Sequence, residues 1–438
     1  MPKTTSNKTI YPKSINSIRK NEMPHMNSGV YLDFTGAGVY NDRVFDEYKN
    51  EVLNSFYPIN HSLHSHKKTQ EEVVEEIRQE ILDFVGASKN KFSVIFVASA
   101  TQALKTIGEN FPWKPCSKYA YTKYNHNSVL GIRKYAIRSN SSFIPLAWPP
   151  NITELKSIKT EPNCPNLFAF PFEDNFAGTK PSPNFIHEVT TNKDILNNWY
   201  ILGDVAAYLP TNPLNLSETF LDASVLSFYK ILGYPNTGAL IISNRLKKHL
   251  HKTTFSLHSS LSILEDDEVP IMLNMAVLSG LRYLKEIGMK EVQKHVSRLT
   301  NKLYKGLNSF IHSNGQKAIE IYGNHQIGDD SFQGGIVSFN VKRTDGGYHG
   351  YSKIVSEASK AGFHLRGGCQ CNPGACFESM KISEDKVRSY YDKKTTCGDN
   401  NDIIDGIPLG AVRASLGWAS TDSDVDSFLE WINDNYVF

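Results

Sequence analysis

Three closely spaced cysteines near the end of the chain are the residues best suited to chemistry. Their spacing is C-x-C-x-x-x-x-C, and they are Cys369, Cys371 and Cys376. Cys371 comes directly before Asn372, which can cap a helix, and Pro373, which suits its first turn. The dipole of such a helix and the nearby cation Arg366 would both stabilise a thiolate, the nucleophilic form of cysteine. The pattern therefore predicts that Cys371 is a reactive thiol.

A structural metal site is the alternative interpretation, because closely spaced cysteines can also bind zinc. The sequence has no second cluster of cysteine and histidine with the spacing of a zinc finger. The histidine-rich stretch at residues 61–66 has no carboxylate or cysteine at ligand spacing beside it and fits a polar loop better. The reactive thiol is therefore preferred, and no metal is predicted.

The composition is that of a globular protein with room for two packed domains. The chain has 438 residues, of which 40% are hydrophobic and 21% are charged. A net charge of +2 gives no argument for a nucleic-acid or membrane surface, and no apolar run approaches the length of a membrane span. Six cysteines are too few for a disulfide scaffold, and their clustering suits a reducing compartment. We therefore expect a cytoplasmic protein.

The N-terminal stretch is predicted to be a polar tail over residues 1–28. Residues 1–21 carry lysine and arginine but no acidic residue, and they lack the continuous apolar core of a secretory signal. An organellar transit peptide is the alternative, and a disordered tail is preferred. Order is expected to begin near Val30.

A candidate anion site follows the apolar strand predicted at residues 92–97. The small residues Ser99, Ala100 and Thr101 separate this strand from a helix predicted over residues 102–109. Such a turn brings backbone amides to one point, where a phosphate can bind. A plain strand–helix turn is the alternative interpretation.

Polar residues also end four further predicted strands. They are His126, after residues 119–122, Asn175, after 167–170, Asp204, after 200–202, and Ser227 with Lys230, at the end of 224–228. Open α/β sheets bind ligands at the carboxyl ends of their strands. The alternation of apolar strands and helices predicts a mainly parallel sheet with helices on both faces.

A smaller α/β unit is predicted after this sheet. Helical periodicity at residues 271–287 and 291–310 leads into a strand at 335–341, and a last strand at 412–416 precedes a helix at 423–431. The loop that carries Cys369, Cys371 and Cys376, called the cysteine loop below, lies between these two strands. We therefore predict a large domain over residues 29–299 and a small C-terminal domain over residues 300–438.

Together these residue types fit the needs of pyridoxal phosphate (PLP). This cofactor requires a lysine for a Schiff base, a carboxylate for its pyridine nitrogen, a phosphate cradle and a group against its ring. Lys230, Asp204, the stretch 99–101 and His126 offer these four in the expected order. The joint occurrence is far more specific than any one member.

The chain resembles class V aminotransferases, and within them the aminotransferase-like domain of the molybdenum cofactor sulfurase family, whose members are cysteine desulfurases. The matching stretches between residue 30 and the last residue are Tyr31-Leu32-Asp33, Ser99-Ala100-Thr101-Gln102, His126-Asn127-Ser128, Asn175-Phe176-Ala177-Gly178, Ser227-Phe228-Tyr229-Lys230, Gly368-Cys369-Gln370-Cys371-Asn372-Pro373, Cys397-Gly398-Asp399 and Val412-Arg413-Ala414-Ser415. The resemblance implies the type I fold of PLP-dependent transferases.

The resemblance also implies roles for these residues. Lys230 would form the Schiff base, Asp204 would keep the pyridine nitrogen protonated, and His126 would stack on the ring and move protons. Asn175 would hydrogen-bond the ring hydroxyl. The phosphate would be held by Ser99, Ala100, Thr101 and Ser227. Arg413 would bind the substrate carboxylate as a bidentate pair.

The activity implied is that of a PLP-dependent L-cysteine desulfurase. Cys371 would attack the substrate sulfur, become a persulfide and release alanine. The sulfur would pass to an acceptor, either molybdenum cofactor or a separate protein that binds it. The alternatives are another class V PLP enzyme, such as a C–S lyase or an epimerase, and a non-catalytic scaffold of the same fold.

Several positions depart from the family pattern. Residues 255–260 lack the glycines of the loop that reaches the neighbouring subunit's phosphate, which counts against the homodimer that the resemblance implies. Phe34 stands where the family often has histidine, and Ala207 where other desulfurases have glutamine. The chain ends at Phe438, without the C-terminal domain that binds molybdenum cofactor in eukaryotic relatives.

Overall fold

The computed structural model describes residues 11, 13–54, 70–251, 264, 270–390 and 401–438. The helices in this part of the chain are α1 Ile15–Glu22, α2 Asp42–Leu53, α3 Gln70–Phe84, α4 Ala100–Asn110, α5 Asn127–Leu130, α6 Arg133–Arg138, α7 Ile152–Ser157, α8 Pro183–Thr191, α9 Lys193–Asn198, α10 Phe228–Leu232, α11 Asn244–Lys247, α12 Ile271–Ile287, α13 Met289–Ser309, α14 Tyr351–Lys360, α15 Pro373–Ser379, α16 Glu384–Tyr390 and α17 Asp422–Tyr436. The strands are β1 Val30–Tyr31, β2 Phe92–Val97, β3 Lys118–Thr122, β4 Ser142–Leu146, β5 Leu167–Pro171, β6 Tyr200–Asp204, β7 Ala223–Ser227, β8 Gly238–Ser243, β9 Ile319–Tyr322, β10 Ile336–Val341, β11 Phe363–His364, β12 Arg366–Gly368, β13 Ile403–Ile404, β14 Ile407–Pro408 and β15 Ala411–Ser415.

A seven-stranded sheet in the order β2-β8-β7-β6-β5-β3-β4 forms the larger part of the molecule. Strand β8 runs antiparallel to β2 and β7, and the other neighbours pair in parallel. Alternate residues point into two apolar clusters, one on each face. In β5, Phe168 and Phe170 join one cluster, whereas Leu167 and Ala169 join the other. Because both faces are covered, the strands read as continuous apolar runs. The predicted α/β class and mainly parallel sheet are confirmed.

A second, antiparallel sheet has the order β12-β15-β10-β9. Strand β15 lies between β10 and β12, and its register sets Arg413 opposite Ser338 on one side and opposite Arg366 on the other. The short pair β1 and β11 lies beside it, and a parallel bridge between Asp33 and Ser415 extends β1 along β15. The N-terminal segment is thereby brought next to Arg413.

Structure begins well before Val30, so the prediction of a disordered tail is wrong for the described part of it. Helix α1 buries Ile15 and Ile18 on one side, and the hydroxyl of Tyr11 donates to the backbone oxygen of Trp418 at 2.7 Å. Arg19 pairs with the buried carboxylate of Asp424. Lysine and arginine are frequent in this stretch, so its sequence is typical of a polar tail. Its few apolar residues become buried only because the folded chain packs against them. The division into 29–299 and 300–438 stays a prediction, and its boundary falls inside α13.

Four of the described cysteines form two disulfides. Cys116 pairs with Cys164, and Cys369 pairs with Cys376, while Cys371 is free and exposed. The expectation of reduced cysteines is therefore wrong for these four, and Cys397 lies outside the described residues. Cys116 and Cys164 lie with Glu161 in the one group of potential metal ligands found among the described residues. None of the helices described here combines the length and the hydropathy of a transmembrane span.

Candidate active site

The lysine of the predicted site lies where β7 turns into the short helix α10. Strand β7 ends at Ser227, and Lys230 is the third residue of the helix. Gly233 closes the helix with a φ of 76°, and a Cβ there would lie 2.5 Å from the carbonyl carbon of Val39. Only glycine therefore allows this turn. Burial lowers the pKa of Lys230, Asp204 raises it, and Arg413 lowers it.

Asp204 and His126 lie at the same edge of the sheet. Asp204 is the last residue of β6, and its carboxylate accepts a hydrogen bond from the backbone amide of Ala206 at 3.0 Å. Burial lowers the pKa of His126, Asp204 raises it, and Lys230 lowers it. The charge of Asp204 acts on both Lys230 and His126, and the charge of Lys230 acts on His126, so the structure brings these three predicted residues close together.

The tautomer of His126 is fixed by its own helix cap. The Nδ1 atom of His126 accepts a hydrogen bond from the backbone amide of Ser128 at 3.1 Å. A backbone amide can only donate, so the neutral imidazole must carry its proton on Nε2. This geometry favours a neutral ring, which agrees with the lowered pKa.

The predicted phosphate cradle is the N-terminus of α4. Ser99 caps this helix by accepting from the amide of Gln102 at 3.2 Å, and the amide of Ala100 donates to the Ser227 hydroxyl at 3.4 Å. A Cβ on Gly238 of β8 would lie 3.2 Å from the Ala100 nitrogen. Glycine therefore keeps open the space around the amides that a phosphate would use.

Ser128 is a member of this cluster that was not selected from the sequence. Its hydroxyl lies 2.9 Å from the hydroxyl of Thr101 and 3.0 Å from Nδ1 of His126. A chain of hydrogen bonds thus joins the predicted cradle to the predicted ring-stacking histidine. The signal in the sequence was a serine two residues after the histidine, a common capping distance.

The cysteine loop approaches the same site with a strained backbone. Gly368, Gln370 and Cys371 have φ values of 102°, 57° and 56°. Such values are unfavourable for residues with side chains and are concentrated at functional sites. The loop is held in place because the carbonyl oxygen of Cys371 accepts from the amide of Asn127 at 2.7 Å. The backbone of Cys371, which carries the free thiol, is therefore hydrogen-bonded to Asn127, the residue after His126.

Helix α15 begins where the sequence predicts it. The side chain of Asn372 caps it by accepting from the amide of Ala375, and Pro373 is its first residue. A Cβ on Gly374 would lie 2.1 Å from the carbonyl oxygen of Lys123, so the first turn packs directly on the segment after β3. The disulfide between Cys369 and Cys376, which the spacing did not predict, closes the loop around Cys371.

Asn175 connects the loop to the arginine of the site. Its side-chain nitrogen donates to the carbonyl oxygen of Gln370 at 2.6 Å, and its side-chain oxygen accepts from Asn372 at 3.1 Å. Its own carbonyl oxygen accepts from Arg413 at 2.9 Å. In this structure Asn175 therefore holds the cysteine loop, and its predicted contact with a ring hydroxyl stays a prediction.

Arg413 is buried, with an exposed fraction of 3%, and it already has a carboxylate partner. It donates to Asp33 at 2.7 Å, and Arg366 contacts the other oxygen of the same carboxylate at 2.8 Å. Its Nε has no hydrogen-bond partner among the described residues. Asp33 and Arg366 were not selected as site residues, although Asp33 occurs in a motif that carried the family resemblance and Arg366 was noted as a cation near the cysteines.

The assembled groups fit PLP. The cluster offers an amine with a lowered pKa, a carboxylate at a strand end, an imidazole and a helix N-terminus whose amides are kept accessible by glycine. These are the chemical groups that the cofactor requires. The assignment of a role to each residue stays a prediction.

Comparison with known proteins decides the family. The model of the class-V aminotransferase family matches residues 30–428. This chain belongs to the class-V aminotransferase family. A molybdenum cofactor sulfurase of Arabidopsis thaliana is 32% identical over 97% of this chain and 58% of its own length. The molybdenum cofactor sulfurase of Homo sapiens is also 32% identical, over 97% of this chain and 51% of its own length.

Solved structures show the same fold. The apo structure of a cysteine desulfurase from Thermococcus onnurineus NA1 has a TM-score of 0.77 at 18% identity, and the match covers 96% of this chain and 97% of that chain. The resemblance seen in the sequence is thus confirmed, together with its fold. The chain spans little more than half the length of these two sulfurase relatives. One departure noted in the sequence, at residues 255–260, and one match, at residues 397–399, lie outside the described residues.

Proposed function

We propose that this protein is a PLP-dependent L-cysteine desulfurase that forms a persulfide on Cys371 and releases alanine. The observation that carries the proposal is the place of its free thiol. Cys371 is exposed, and its loop is bonded to the residue after His126 and to Asn175. A PLP site with a cysteine nucleophile held beside it is what sulfur abstraction requires.

Each residue has a task in this proposal. PLP, when bound, supplies an electron sink for the bonds of the substrate's α-carbon. Lys230 supplies the amine that bonds the cofactor, and its lowered pKa keeps more of that amine unprotonated. Asp204 supplies the carboxylate for the pyridine nitrogen. His126 holds a proton on Nε2, which it can donate, because its Nδ1 is already bonded to Ser128.

The sulfur step uses the thiolate of Cys371. This thiolate attacks the sulfur of the bound cysteine, so that a sulfur–sulfur bond forms and the carbon–sulfur bond breaks. The electron pair of the broken bond remains with the amino acid, which takes up a proton and leaves as alanine. Cysteine and the thiol of Cys371 are thereby converted to alanine and the Cys371 persulfide, with no external oxidant.

The test is to supply L-cysteine and a thiol reductant to the purified protein with PLP bound. We expect alanine and sulfide in equal amounts. Pyruvate with sulfide would instead indicate a C–S lyase, and racemised amino acid an epimerase. A protein that shows no absorbance of bound cofactor and converts no amino acid would be a scaffold.

We further propose that the sulfur goes to molybdenum cofactor or to a protein that binds it. Support comes from the two sulfurase relatives, which are 32% identical over nearly the whole chain. The direct measurement is transfer of radioactive sulfur from labelled Cys371 persulfide to isolated molybdenum cofactor. A cytoplasmic location and a homodimer remain parts of the proposal, to be checked by fluorescence microscopy and by light scattering.

A further inference from the structure

Two cations lie side by side at the candidate substrate site. The register of β12 and β15 places Arg366 directly opposite Arg413 on neighbouring strands. Like charges in this position repel one another and destabilise a sheet. The two arginines differ in exposure, since 3% of the Arg413 side chain and 49% of the Arg366 side chain are accessible.

Asp33 is the counterion between them. One oxygen of its carboxylate accepts from Arg413 at 2.7 Å, and the other accepts from Nε of Arg366 at 2.9 Å. The bridge between Asp33 and Ser415 sets this carboxylate beside β15. A Cβ on Gly36 would lie 2.4 Å from both Asp33 and Arg366, so the turn after Asp33 closes tightly over the pair.

The network of Arg413 reaches the cysteine loop from two sides. Through Asp33 it reaches Arg366, three residues before Cys369. Through the carbonyl oxygen of Asn175 it reaches the residue whose side chain holds Gln370 and Asn372, on either side of Cys371. The group expected to bind a carboxylate and the loop that carries the thiol thus form one hydrogen-bonded unit.

We propose that Asp33 is a positioning residue that limits the attraction of Arg413 for the substrate carboxylate and ties Arg413 to the strand leading to Cys371. This inference rests on the proposed function. Asp33, Arg366 and Arg413 together carry one net positive charge, which a substrate carboxylate neutralises. Loss of the Asp33 charge would raise this net charge to two, and loss of the Arg366 charge would lower it to zero.

The test compares Asp33→Asn with Arg366→Gln in the protein with PLP bound. Both variants break the same ion pair, yet they change the charge facing the carboxylate in opposite directions. We expect Asp33→Asn to bind L-alanine about tenfold more tightly and Arg366→Gln to bind it about tenfold more weakly, as for one charge acting in a partly desolvated site. The shift of the cofactor's visible absorbance on titration with alanine gives the dissociation constants.

A second measurement reports on the loop. Either substitution removes the ion pair between Asp33 and Arg366 and so loosens the strand that leads to Cys371. Both variants should therefore react faster with iodoacetamide at Cys371, and peptide mass analysis measures the rate of this alkylation. Both should also lower kcat for alanine release from cysteine, while KM falls only in Asp33→Asn. The matched controls are Asp422→Asn and Arg298→Gln, which break an exposed pair with contacts of 2.7 and 2.8 Å between α13 and α17. These controls should leave alanine binding and alkylation unchanged.

Opposite shifts in alanine binding distinguish this role from a purely structural one, which would weaken binding in both variants. Equal directions, or no change, would overturn the inference. A wild-type protein that binds alanine but forms no sulfide from cysteine would contradict the proposed function alone. Asp33→Asn keeps the side-chain size and Arg366 is half exposed, so both variants retain the packing around them.

Discussion

Individual side chains at this site act through their surroundings. Lys230 would be protonated in water, yet burial and the nearby arginines lower its pKa, while Asp204 offsets part of that effect. Burial of the imidazole likewise lowers the pKa of His126. Buried groups with shifted pKa values at the carboxyl end of a parallel sheet make this place a candidate reactive site.

Lys230→Ala should remove the attachment of the cofactor. No other described lysine lies at the C-terminal end of β7 beside Asp204, so no neighbouring amine can replace it. We expect the purified variant to lack the visible absorbance of bound PLP and to release no alanine from cysteine. Full turnover in this variant would refute the assignment of the lysine.

Cys371→Ser should separate binding from sulfur abstraction. The substitution leaves Lys230, Asp204 and His126 in place, so cysteine should still shift the absorbance of the bound cofactor. Alanine release should fall by at least about a hundredfold, because a hydroxyl cannot accept the sulfur as a thiolate does. Peptide mass analysis after treatment with cysteine and alkylation should locate the persulfide of the wild type on Cys371. A persulfide on Cys369 or Cys376, with the variant still active, would move the nucleophile elsewhere in the loop.

At the level of elements, the residue that caps α15 also holds the cysteine loop. Asn372 is buried, its oxygen caps α15 at Ala375, and its nitrogen donates to Asn175. Asn372→Asp keeps the capping acceptor but loses the donor. Asn372→Ala loses both. Because a lost cap costs about 1 kcal/mol, the alanine variant should lower the free energy of unfolding by that amount or more. The aspartate variant should lower it too, because its carboxylate is buried and faces the side-chain oxygen of Asn175.

Both variants of Asn372 should slow alanine release, because both free the loop from Asn175. The control is Asn151→Ala, which removes the cap of α7 by way of Thr153 at an exposed position. It should lower stability slightly and leave turnover unchanged. Turnover that is normal in Asn372→Asp would show that the contact with Asn175 does not position the thiol.

For the molecule as a whole, a buried ion pair joins the N-terminal helix α1 to the C-terminal helix α17. Arg19 faces Asp424 in the first turn of α17, and both side chains are nearly inaccessible. Arg19→Met leaves a buried carboxylate without its partner and should cost about 3 kcal/mol. Arg298→Met breaks an exposed pair with Asp422 in the same turn and should cost less than about 1 kcal/mol. Urea unfolding of both variants makes the comparison, and equal losses would show that α1 contributes little.

The buried carboxyl of Glu173 should make stability depend on pH. Burial raises the pKa of Glu173 from its ordinary value of 4.5 to about 8, although the charge of Lys180 opposes this rise. A raised pKa in the folded state favours folding when the group is protonated. The contribution of Glu173 to the free energy of unfolding is therefore fully present below pH 4.5 and is lost as the pH rises through 8.

Glu173→Gln removes this dependence while keeping the acceptor for Asn212, which lies 3.3 Å from the Glu173 carboxylate. The wild type should lose stability relative to the variant between pH 5 and 8, by at most about 1.4 kcal/mol per pH unit. Chemical denaturation of both proteins across this range measures the difference. A constant difference would mean that Glu173 is ionised throughout.

The sequence alone determined the parts that depend on neighbouring residues. Continuous apolar runs predicted the buried strands, polar residues at their ends predicted Lys230, Asp204 and His126, and Asn372-Pro373 predicted the start of α15. Strand burial and helix capping depend on neighbouring residues, so a single sequence is enough to predict them.

Only the tertiary structure decided which distant residues meet. Asp33 and Arg413 are 380 positions apart, and their contact depends on the register of β15 with its neighbours. The docking of α1 and the pairing of Cys369 with Cys376 rather than with Cys371 depend likewise on packing. Composition and spacing cannot predict such contacts, because a shift of one residue in strand register would turn Arg413 to the other face of the sheet.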